Sequence, residues 1–452
     1  MSQEIEKIVY CTAGHSSNDF FCSDRRNIIY SSGSSGNCLL CTKEHFIQEF
    51  ETWSSGNANI DKIIQESQIN NRWEKLHWIP YDNFQNIKHI ADGGYGSVYS
   101  AELKGEIKQS WDFIKQDWEY CTTNYEFALK EINDSKYDIA EFLEMINTVD
   151  SDEFIAMYYG ISKNPFTQNY IIVMELFDGD LHKFLTKVFW DLGWKLKIEI
   201  LFSIVSGLEC LHEKRLVHCD FHGGNSLILC SFDFSDAQGS IDLGLCKHES
   251  DLILNSDKKN NKIYGSIPYI PPEVLKGNEF AREGDIYSFG GIMYEIVTAQ
   301  RPFADQAHDT YLMIDICNGV RPKVPDFMLN WIPEWYLNLM YRCWSDDPSE
   351  RPTSIELSNL FREITDKLYA SVVDNNVMRQ LKISDENQRN TSKSQKQEFF
   401  ELFSHSNKLH SQSSYIGRYI HTLHGLHDFL DEIKSGKSSD PNLLLKSNES
   451  TT

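Results

Sequence analysis

Residues 216–225 of this chain read LVHCDFHGGN, and this stretch decides the fold. It places an aspartate, Asp220, five residues before an asparagine, Asn225. Phosphoryl transfer uses a carboxylate to orient the attacking hydroxyl group and oxygen ligands to hold Mg²⁺, and these two side chains match that chemistry in type and spacing. An isolated aspartate in a loop more often caps backbone N–H groups, so the interpretation depends on the motifs around it.

A second carboxylate follows at a short separation. Asp242 lies seventeen residues after Asn225, between the apolar residue Ile241 and the pair Leu243-Gly244. A carboxylate at the end of an apolar strand is well placed to bind a metal ion beside the first pair. The two motifs in order favour a catalytic role for Asp220 over a turn cap.

A glycine-rich segment lies upstream. Residues 90–99, IADGGYGSVY, read as a strand, a tight turn and a second strand. Glycines let backbone N–H groups close over phosphates because no Cβ is in the way. Lys130 ends a predicted strand, residues 127–130, where it can pair with a phosphate. The insert between them, residues 101–125 with Trp111 and Trp118, is predicted to be an extended hairpin loop without chemistry.

From about Phe84 to Ile364 the sequence resembles a eukaryotic protein kinase domain, and it is most similar to the tyrosine-kinase-like group that is numerous in arbuscular mycorrhizal fungi. The motifs occur in the family's order: the glycine-rich loop, residues 127–130, 218–225, 242–244, 271–273 and 285–290, and Arg351-Pro352. The resemblance implies an α+β, two-lobed fold with a β-rich N-lobe, a helical C-lobe and ATP in the cleft.

The resemblance also implies a role for each matching residue. Asp220 would accept the proton of the substrate hydroxyl, Asn225 and Asp242 would bind Mg²⁺, and Lys130 would hold the α- and β-phosphates of ATP. The remaining nucleotide contacts would come from three phosphate-loop glycines, three residues around the adenine, a gatekeeper and a hinge: Gly93, Gly94 and Gly96; Val98, Ala128 and Leu227; Met174; and Glu175 to Phe177.

Three departures from the family pattern lie in the loops. Ala91 replaces the first glycine of the phosphate loop, which is a mild change. Cys219 replaces an arginine that commonly pairs with a phosphate on the activation loop, so we expect that phosphorylation between Asp242 and Glu273, for instance at Ser250 or Ser256, is not required. His222 replaces a phosphate-contacting lysine, and a neutral histidine carries no fixed charge.

The fourth departure concerns the partner of Lys130. The helix after it should supply a glutamate, but aligning its apolar stripe puts Met145 at that position. Glu144 lies one residue back, about 100° around the helix, and Glu141 lies one turn back on the same face. A one-residue shift would let Glu144 serve; otherwise Glu141 reaches from the previous turn, or Lys130 is unpaired.

The segment before the Pro-Pro-Glu motif bears on the acceptor residue. Serine/threonine kinases carry a hydroxyl where Ser266 stands, hydrogen-bonded near the catalytic aspartate, whereas tyrosine kinases carry a proline and a tryptophan that this chain lacks. The acceptor is therefore predicted to be serine or threonine. Glu273 and Arg351 are expected to form a structural ion pair.

Both extensions differ in composition from the centre. Residues 1–80 are rich in Ser, Asn and Cys; Cys38 and Cys41 form a C-x-x-C step, with Cys11, His15 and Cys22 upstream, which suggests a degenerate zinc finger. The kinase domain is placed at 83–366. Residues 370–452 are predicted to be a largely disordered tail with a short helix over 419–433.

Composition limits the partners and the compartment. The net charge of −23 disfavours non-specific binding to nucleic acid or anionic lipid. No leader or membrane segment is evident, and eleven scattered cysteines suit reduced thiols, so the sequence predicts a cytoplasmic protein with no membrane association. The expected partners are protein substrates, with docking through the N- or C-terminal extension.

These observations predict an ATP- and Mg²⁺-dependent serine/threonine protein kinase in intracellular signalling. The alternative is a pseudokinase, a kinase fold that serves as an ATP-binding or scaffolding module. The presence of Lys130, Asp220, Asn225 and Asp242 favours the enzyme, while the departures above favour the alternative.

Overall fold

A computed structural model of the protein describes residues 38–71, 75–121, 126–133, 138–149, 153–231, 237–244, 246–255, 259–370, 376–397 and 412–443. The chain divides into two compact units. The first comprises residues 1–151 and 157–176, and the second comprises residues 152–156 and 177–452.

Strands dominate the first unit. They are β1 (His77–Trp78), β2 (Phe84–Asp92), β3 (Gly96–Leu103), β4 (Ile107–Asp112), β5 (Asp117–Cys121), β6 (Glu126–Ile132), β7 (Tyr158–Lys163) and β8 (Tyr170–Glu175). Six of them form one sheet in the order β1-β7-β8-β6-β3-β2, antiparallel except for the β1–β7 pair. Because side chains alternate along a strand, Phe127 and Leu129 of β6 share one face and pack with Ile171 and Val173 of β8.

Three helices accompany this sheet: α1 (Leu39–Glu49), α2 (Ala58–Asn70) and α3 (Ile139–Val149). The apolar residues of α3 recur three or four positions apart and are buried, as expected for an amphipathic helix. Helix α2 packs against α3, where Asn71 Nδ2 donates to Asn147 Oδ1 at 3.2 Å.

The predicted hairpin insert is strands β4 and β5. Helix α1 of the N-terminal extension covers it: the His45 ring stacks on Trp111 with centroids 3.5 Å apart, and Thr42 Oγ1 accepts a 2.8 Å hydrogen bond from the Trp111 N–H. Glu49 and Lys108 form an ion pair of 2.6 Å across the same contact. The extension and the insert therefore stabilise each other.

Helices dominate the second unit. They are α4 (Leu181–Val188), α5 (Trp194–Glu213), α6 (Glu249–Asn255), α7 (Pro272–Leu275), α8 (Arg282–Thr298), α9 (Thr310–Cys317), α10 (Glu334–Cys343), α11 (Ser354–Tyr369), α12 (Asn376–Arg389) and α13 (Leu430–Lys434). Nearly all of α8 is buried, and α5 packs against α11. A helix that is buried all round lies at the centre of a core, so α8 is the central element of this unit.

The second unit also contains short strands between its helices: β9 (Gly179–Asp180), β10 (Leu216–Val217), β11 (Ser226–Cys230), β12 (Ala237–Ile241), β13 (Lys247–His248), β14 (Lys262–Gly265) and β15 (Arg418–His421). They pair as β12-β11-β9, β10-β13 and β14-β15. A strand-rich unit and a helical unit are the α+β composition that the sequence predicts.

The tail differs from the prediction in two respects. Residues 376–397 and 412–443 belong to the stretch predicted to be largely disordered, yet they contain α12, β15 and α13, because apolar side chains such as Leu381 are buried. The prediction of a helix over 419–433 is wrong, because this stretch contains the end of β15, a series of turns and only the short helix α13. The prediction rests on five apolar residues at helical spacing: Ile420, Leu423, Leu426, Leu430 and Ile433. Ile420, Leu426 and Ile433 are buried, but Ile420 is buried in a strand paired with Ile263. Pairing of this segment with β14 outweighs a weak local helix preference. Among the described residues, no helix is both long and apolar enough to cross a membrane.

Candidate active site

The loop after β10 is fixed by the buried side chain of Asp285. Its Oδ2 accepts a hydrogen bond from the His218 N–H at 2.8 Å, and its Oδ1 accepts one from the Cys219 N–H at 3.1 Å. Cys219 has φ of 65°, a left-handed conformation that costs a non-glycine residue free energy. The charged acceptor offsets this cost, since hydrogen bonds to ionised groups are the stronger ones.

His218 links this loop to the strand that carries Asp242. Its Nδ1 accepts from the Asp220 N–H at 3.4 Å, so its Nε2 carries the proton and donates to the Asp242 carbonyl oxygen at 2.9 Å. Burial lowers the pKa of His218 below its usual value, which favours this neutral form. The histidine therefore fixes the backbone of the two aspartates at once.

Asn225 and Asp242 lie side by side at the ends of neighbouring strands. Strands β11 and β12 pair Ser226 with Ile241, and the Asp242 N–H donates to the Asn225 carbonyl at 2.9 Å. Asn225 Nδ2 donates to the Asp220 carbonyl at 2.8 Å. The register thus brings together the two oxygen-bearing side chains that the sequence assigns to a metal ion.

Asp220 faces His222 within this loop. His222 Nδ1 accepts from the Gly224 N–H at 2.9 Å, so its Nε2 carries a proton, and that atom lies 3.7 Å from Asp220 Oδ1. His222 therefore points toward the carboxylate, where a lysine is usual in serine/threonine kinases. Gly223 is required sterically, because a Cβ there would lie 2.3 Å from Oε1 of the buried residue Glu295.

The segment after Asp242 contacts the loop that carries Asp220 through apolar side chains. Cys219 is buried with Val217 and with Leu252 of α6, and Phe280 packs against this cluster. Burial raises the pKa of the Cys219 thiol well above its usual value, so the thiol stays protonated and behaves as a small apolar group. The position at which the family carries an arginine is here part of a hydrophobic contact.

Gly265 and Ser266 follow in the same segment. A Cβ built on Gly265 would lie 3.5 Å from Asp220 Oδ1, which places this segment beside the carboxylate. Ser266 is buried, but within the described part of the chain its Oγ makes no hydrogen bond, in contrast to the expected contact near the aspartate.

The residues that are predicted to contact the nucleotide are divided between the two units. In the first unit, Lys130 on β6 pairs in register with Val98 on β3, and Ala128 pairs with Met174 on β8. Glu175 ends β8 and its pKa is raised by burial. Phe177 and Leu227 belong to the second unit, where Leu227 pairs with Asp180 across β11 and β9.

The phosphate-loop glycines have different surroundings. Gly93 and Gly94 lie in the turn between β2 and β3, and the Gly93 N–H donates to the Gly96 carbonyl at 2.7 Å. A Cβ on Gly96 would lie 1.8 Å from the carbonyl oxygen of Glu131 on β6. Gly96 is therefore required by the close approach of two strands, in addition to any contact with a ligand.

Helix α3 carries the two glutamates that could pair with Lys130 and the methionine that stands at the family's glutamate position. Met145 is buried, whereas Glu141 and Glu144 have exposed side chains. Glu141 lies in the first turn of the helix. The burial pattern therefore assigns Met145 to the core, as the apolar stripe predicts.

The predicted ion pair of the second unit is present and bidentate. Arg351 Nη1 and Nη2 donate to Glu273 Oε1 and Oε2 at 2.7 and 2.9 Å, and Arg351 Nη1 also donates to the Glu283 carbonyl at 2.9 Å. The arginine side chain is fully buried, so the pair holds the Pro-Pro-Glu motif against the start of α8.

The cysteine pair of the N-terminal extension has a structural contact. Cys38 precedes α1, and its Sγ accepts from the Cys41 N–H at 3.5 Å as a helix cap; both cysteines pack on Phe113. Within the described ranges, the side chains form no cluster of three or more metal-ligating groups. Cys11, His15 and Cys22 lie outside the described residues.

Two features of the site are not evident from the sequence motifs. Asp285 belongs to a recognised motif, but its hydrogen bonds to a loop 66 residues away depend on tertiary structure. Gly417, in the tail, would place a Cβ 3.1 Å from Asp220 Oδ2, and a composition rich in Ser, Asn and Lys gives no signal for such a contact.

Known proteins share this arrangement of motifs. The family described as protein tyrosine and serine/threonine kinase matches residues 84–361. Among curated proteins, the chain is 27% identical over 308 residues to the probable serine/threonine-protein kinase roco5 of Dictyostelium discoideum, which covers 66% of this chain and 10% of that protein.

Two mouse proteins give similar matches. The receptor-interacting serine/threonine-protein kinase 4 is 26% identical over 328 residues, covering 68% of this chain and 38% of that protein. The ankyrin repeat and protein kinase domain-containing protein 1 is 29% identical over 285 residues, covering 61% and 35%. The chain thus spans between 10% and 38% of the length of these three relatives. With more than half of its residues matched, the chain belongs to the protein tyrosine and serine/threonine kinase family.

Proposed function

We propose that this protein transfers the γ-phosphoryl group of ATP to serine or threonine hydroxyl groups of protein substrates. The observation that carries the proposal is the arrangement in the second unit: Asp220 lies on a loop fixed by His218 and Asp285, next to the paired positions Asn225 and Asp242. Protein kinases use ATP and a divalent metal ion as a family, and this constellation supplies the residue types that their chemistry needs.

The acceptor step is assigned to Asp220. The substrate hydroxyl oxygen attacks the γ-phosphorus, the bond from that phosphorus to the β–γ bridging oxygen breaks, and ADP leaves. Asp220 accepts the proton that the hydroxyl loses. His222 Nε2–H, at 3.7 Å from Asp220 Oδ1, helps to orient the carboxylate and can donate a hydrogen bond to a transferring phosphoryl oxygen.

Two side chains fit a hard divalent cation such as Mg²⁺. Asn225 uses its amide nitrogen for the Asp220 carbonyl, so its Oδ1 can serve a metal ion, and Asp242 supplies a carboxylate from the adjacent strand end. Bound Mg²⁺ neutralises charge that develops on the phosphates. The contribution of the chain is to hold these two oxygen donors beside Asp220.

The remaining nucleotide contacts are assigned by family position. Lys130 would pair with the α- and β-phosphates, and Gly93, Gly94 and Gly96 would present backbone N–H groups to them. The adenine would contact four apolar side chains and the hinge: Val98, Ala128, Met174 and Leu227, with Glu175 to Phe177. The in-register pairs on β3, β6 and β8 support this assignment because they place three of these side chains on adjoining strands.

The acceptor class follows from the names of the relatives and from the absence of the tyrosine-kinase tryptophan before Pro271. Curated relatives of this chain are named serine/threonine-protein kinases. The buried thiols of Cys219 and Cys246 suit a reducing compartment, so we place the activity in the cytoplasm, with the N- and C-terminal extensions as docking regions.

Phosphate transfer tests the proposal directly. Purified protein with Mg²⁺ and γ-labelled ATP is incubated with a generic protein acceptor, with Asp220→Asn as the matched variant that keeps the size of the side chain. We expect labelled phosphoserine or phosphothreonine from the wild type and a loss of at least about 10²-fold in the variant. Equal label from both proteins, while thermal unfolding shows both to be folded, would contradict the assignment.

A further inference from the structure

The C-terminal tail is paired to the segment that leads into the candidate active site. Strand β15 runs antiparallel to β14, with Arg418 opposite Gly265, Tyr419 opposite Tyr264, Ile420 opposite Ile263 and His421 opposite Lys262. Strand β14 immediately precedes Ser266 and lies beside Asp220. The tail therefore adds a strand at the place where an extended acceptor peptide would gain the same main-chain hydrogen bonds.

Gly417 is the tail residue that lies next to the carboxylate of Asp220. Tyr264 Oη donates to the Gly417 carbonyl at 2.8 Å, and a Cβ built on Gly417 would lie 3.1 Å from Asp220 Oδ2. An acceptor hydroxyl must come within hydrogen-bond reach of this carboxylate. The side-chain direction of residue 417 is thus that of an acceptor residue, but glycine has no hydroxyl to phosphorylate.

A buried aromatic side chain anchors the tail two residues before Gly417. Tyr415 is only 9% exposed, and its hydroxyl donates to the Pro302 carbonyl at 2.9 Å. Its ring lies 4.7 Å from the His308 ring and 4.8 Å from the Arg301 guanidinium. This pocket buries an aromatic ring and satisfies its hydroxyl, the combination that usually dominates peptide recognition.

Polar contacts hold the tail on the C-terminal side of this anchor. Arg418 Nη2 donates to the His308 carbonyl at 2.7 Å. Further along, Asp440 accepts from Thr310 N and Oγ1 at 2.8 and 2.6 Å, and Asn442 Oδ1 accepts from the His421 N–H at 2.8 Å. The described tail residues are therefore docked on the second unit and cover β14.

We propose that residues 412–421 are an intramolecular pseudosubstrate, and that the groove they occupy selects extended peptides with an aromatic residue two positions before the acceptor. This inference rests on the proposed kinase function, because it names the acceptor-peptide site of that activity. The tail competes with protein substrates for β14, Asp220 and the Tyr415 pocket, so displacement of the tail raises activity.

The test uses the full chain with single substitutions in the tail. Tyr415→Ala removes the anchor, and Gly417→Val displaces the same strand by a different contact, since a Cβ at 417 would lie 2.6 Å from Tyr264 Cε1. Phe429→Ala is the matched control, because it also truncates an aromatic residue in the tail but one that is 53% exposed and outside the pseudosubstrate.

Binding is measured first, by fluorescence anisotropy of a labelled peptide SQSSYIGRYIH, the sequence of residues 411–421. Loss of the tethered competitor should tighten peptide binding by about tenfold or more in Tyr415→Ala and Gly417→Val, but not in Phe429→Ala. The same peptide with alanine in place of its first tyrosine should bind weakly to every variant. Equal affinities for wild type and both tail variants, or no loss with the alanine peptide, would overturn the inference.

Phosphorylation is measured second, on the peptide SQSSYISRYIH, in which serine replaces the glycine. We expect phosphate on the seventh residue and a lower KM for Tyr415→Ala and Gly417→Val than for the control. Phosphorylation with the same KM for all proteins would overturn the pseudosubstrate but leave the kinase function standing. Tighter peptide binding without phosphate transfer by any protein would instead contradict the kinase function and leave the occupied groove standing.

Discussion

The carboxylate of Asp285 accepts a 3.1 Å hydrogen bond from the backbone N–H of Cys219, the residue directly before Asp220. Its second oxygen accepts from the His218 N–H at 2.8 Å, so one buried side chain on α8 fixes two consecutive peptide groups. The left-handed φ of Cys219 turns the chain directly before Asp220. The position of the candidate base therefore depends on a residue that does not touch substrate.

Asp285→Asn tests this dependence. The amide keeps the size of the side chain but offers one acceptor oxygen, so one of the two buried N–H groups loses its partner at a cost of about 1–3 kcal/mol. We expect a lower free energy of unfolding and a kcat reduced by at least about tenfold, since small displacements of a catalytic group are costly. Urea unfolding and steady-state kinetics measure both, with the exposed residue Asp366→Asn as control. A variant with unchanged kcat would contradict the positioning role.

The variants Gly96→Ala and Gly93→Ala test which glycine of the phosphate loop is required by the close approach of two strands. A Cβ on Gly96 would overlap the Glu131 carbonyl at 1.8 Å, whereas a Cβ on Gly93 would make an ordinary contact of 3.6 Å with the Gly96 carbonyl. Because the Gly96 clash is with backbone, we expect that variant to lose about 3 kcal/mol or more of stability and the Gly93 variant less than about 1 kcal/mol. Thermal unfolding of both variants measures this. Equal melting temperatures would show that β3 and β6 can separate without cost.

Ser250 and Leu252 test how the segment after Asp242 is held. Cys219 packs against Leu252 in an apolar cluster, so the contact needs no phosphate. We expect Ser250→Ala and Ser250→Glu to keep kinase activity within about twofold of wild type, and Leu252→Ala to lower it, since removing a buried leucine costs about 2–5 kcal/mol. Peptide phosphorylation rates measure all three. A many-fold increase with Ser250→Glu would contradict the expectation and restore a phosphate-dependent mechanism. Ser256 lies outside the described residues.

Local motifs predict the parts of the site that are set by neighbouring residues. Asn225 and Asp242, which the sequence assigns to one metal ion, come together because β11 and β12 pair in register. The Glu273–Arg351 pair was also predictable, from family position. The C-x-x-C step shows the limit of such patterns: Cys38 and Cys41 suit a metal site by spacing, yet their contacts are a helix cap and Phe113.

Contacts between distant segments that lie outside the family motifs were not predictable from sequence. The spacing of Ile420, Leu423, Leu426, Leu430 and Ile433 fits a helix, and three of the five, Ile420, Leu426 and Ile433, are buried, but pairing with β14 makes the first part of the segment a strand. The pairing of β14 with β15 in turn brings Gly417 to Asp220. Periodicity identifies which residues are buried, while the partner that buries them decides the secondary structure.

Lys197 provides a pH-dependent test of the docked helix α12. Its side chain is buried in α5, where Nζ donates to Gln388 Oε1 at 2.8 Å, and burial lowers its pKa from 10.5 to about 8. The unfolded chain keeps the proton up to its ordinary pKa, so between about pH 8 and pH 10.5 the unfolded state binds more protons than the native state. The free energy of unfolding therefore rises with pH across this window, and below about pH 8 the full cost of the buried charge remains.

Lys197→Met removes this titration. The free energy of unfolding of the variant should exceed that of the wild type by the largest amount near pH 7. This excess should shrink by up to about 3 kcal/mol by pH 10.5. Urea unfolding at several pH values measures the difference. The contributions of groups that titrate in both proteins cancel in it. Lys195→Met, on the same helix but exposed, is the matched control. A pH-independent difference for Lys197→Met would mean that the lysine keeps an ordinary pKa and that α12 does not desolvate it.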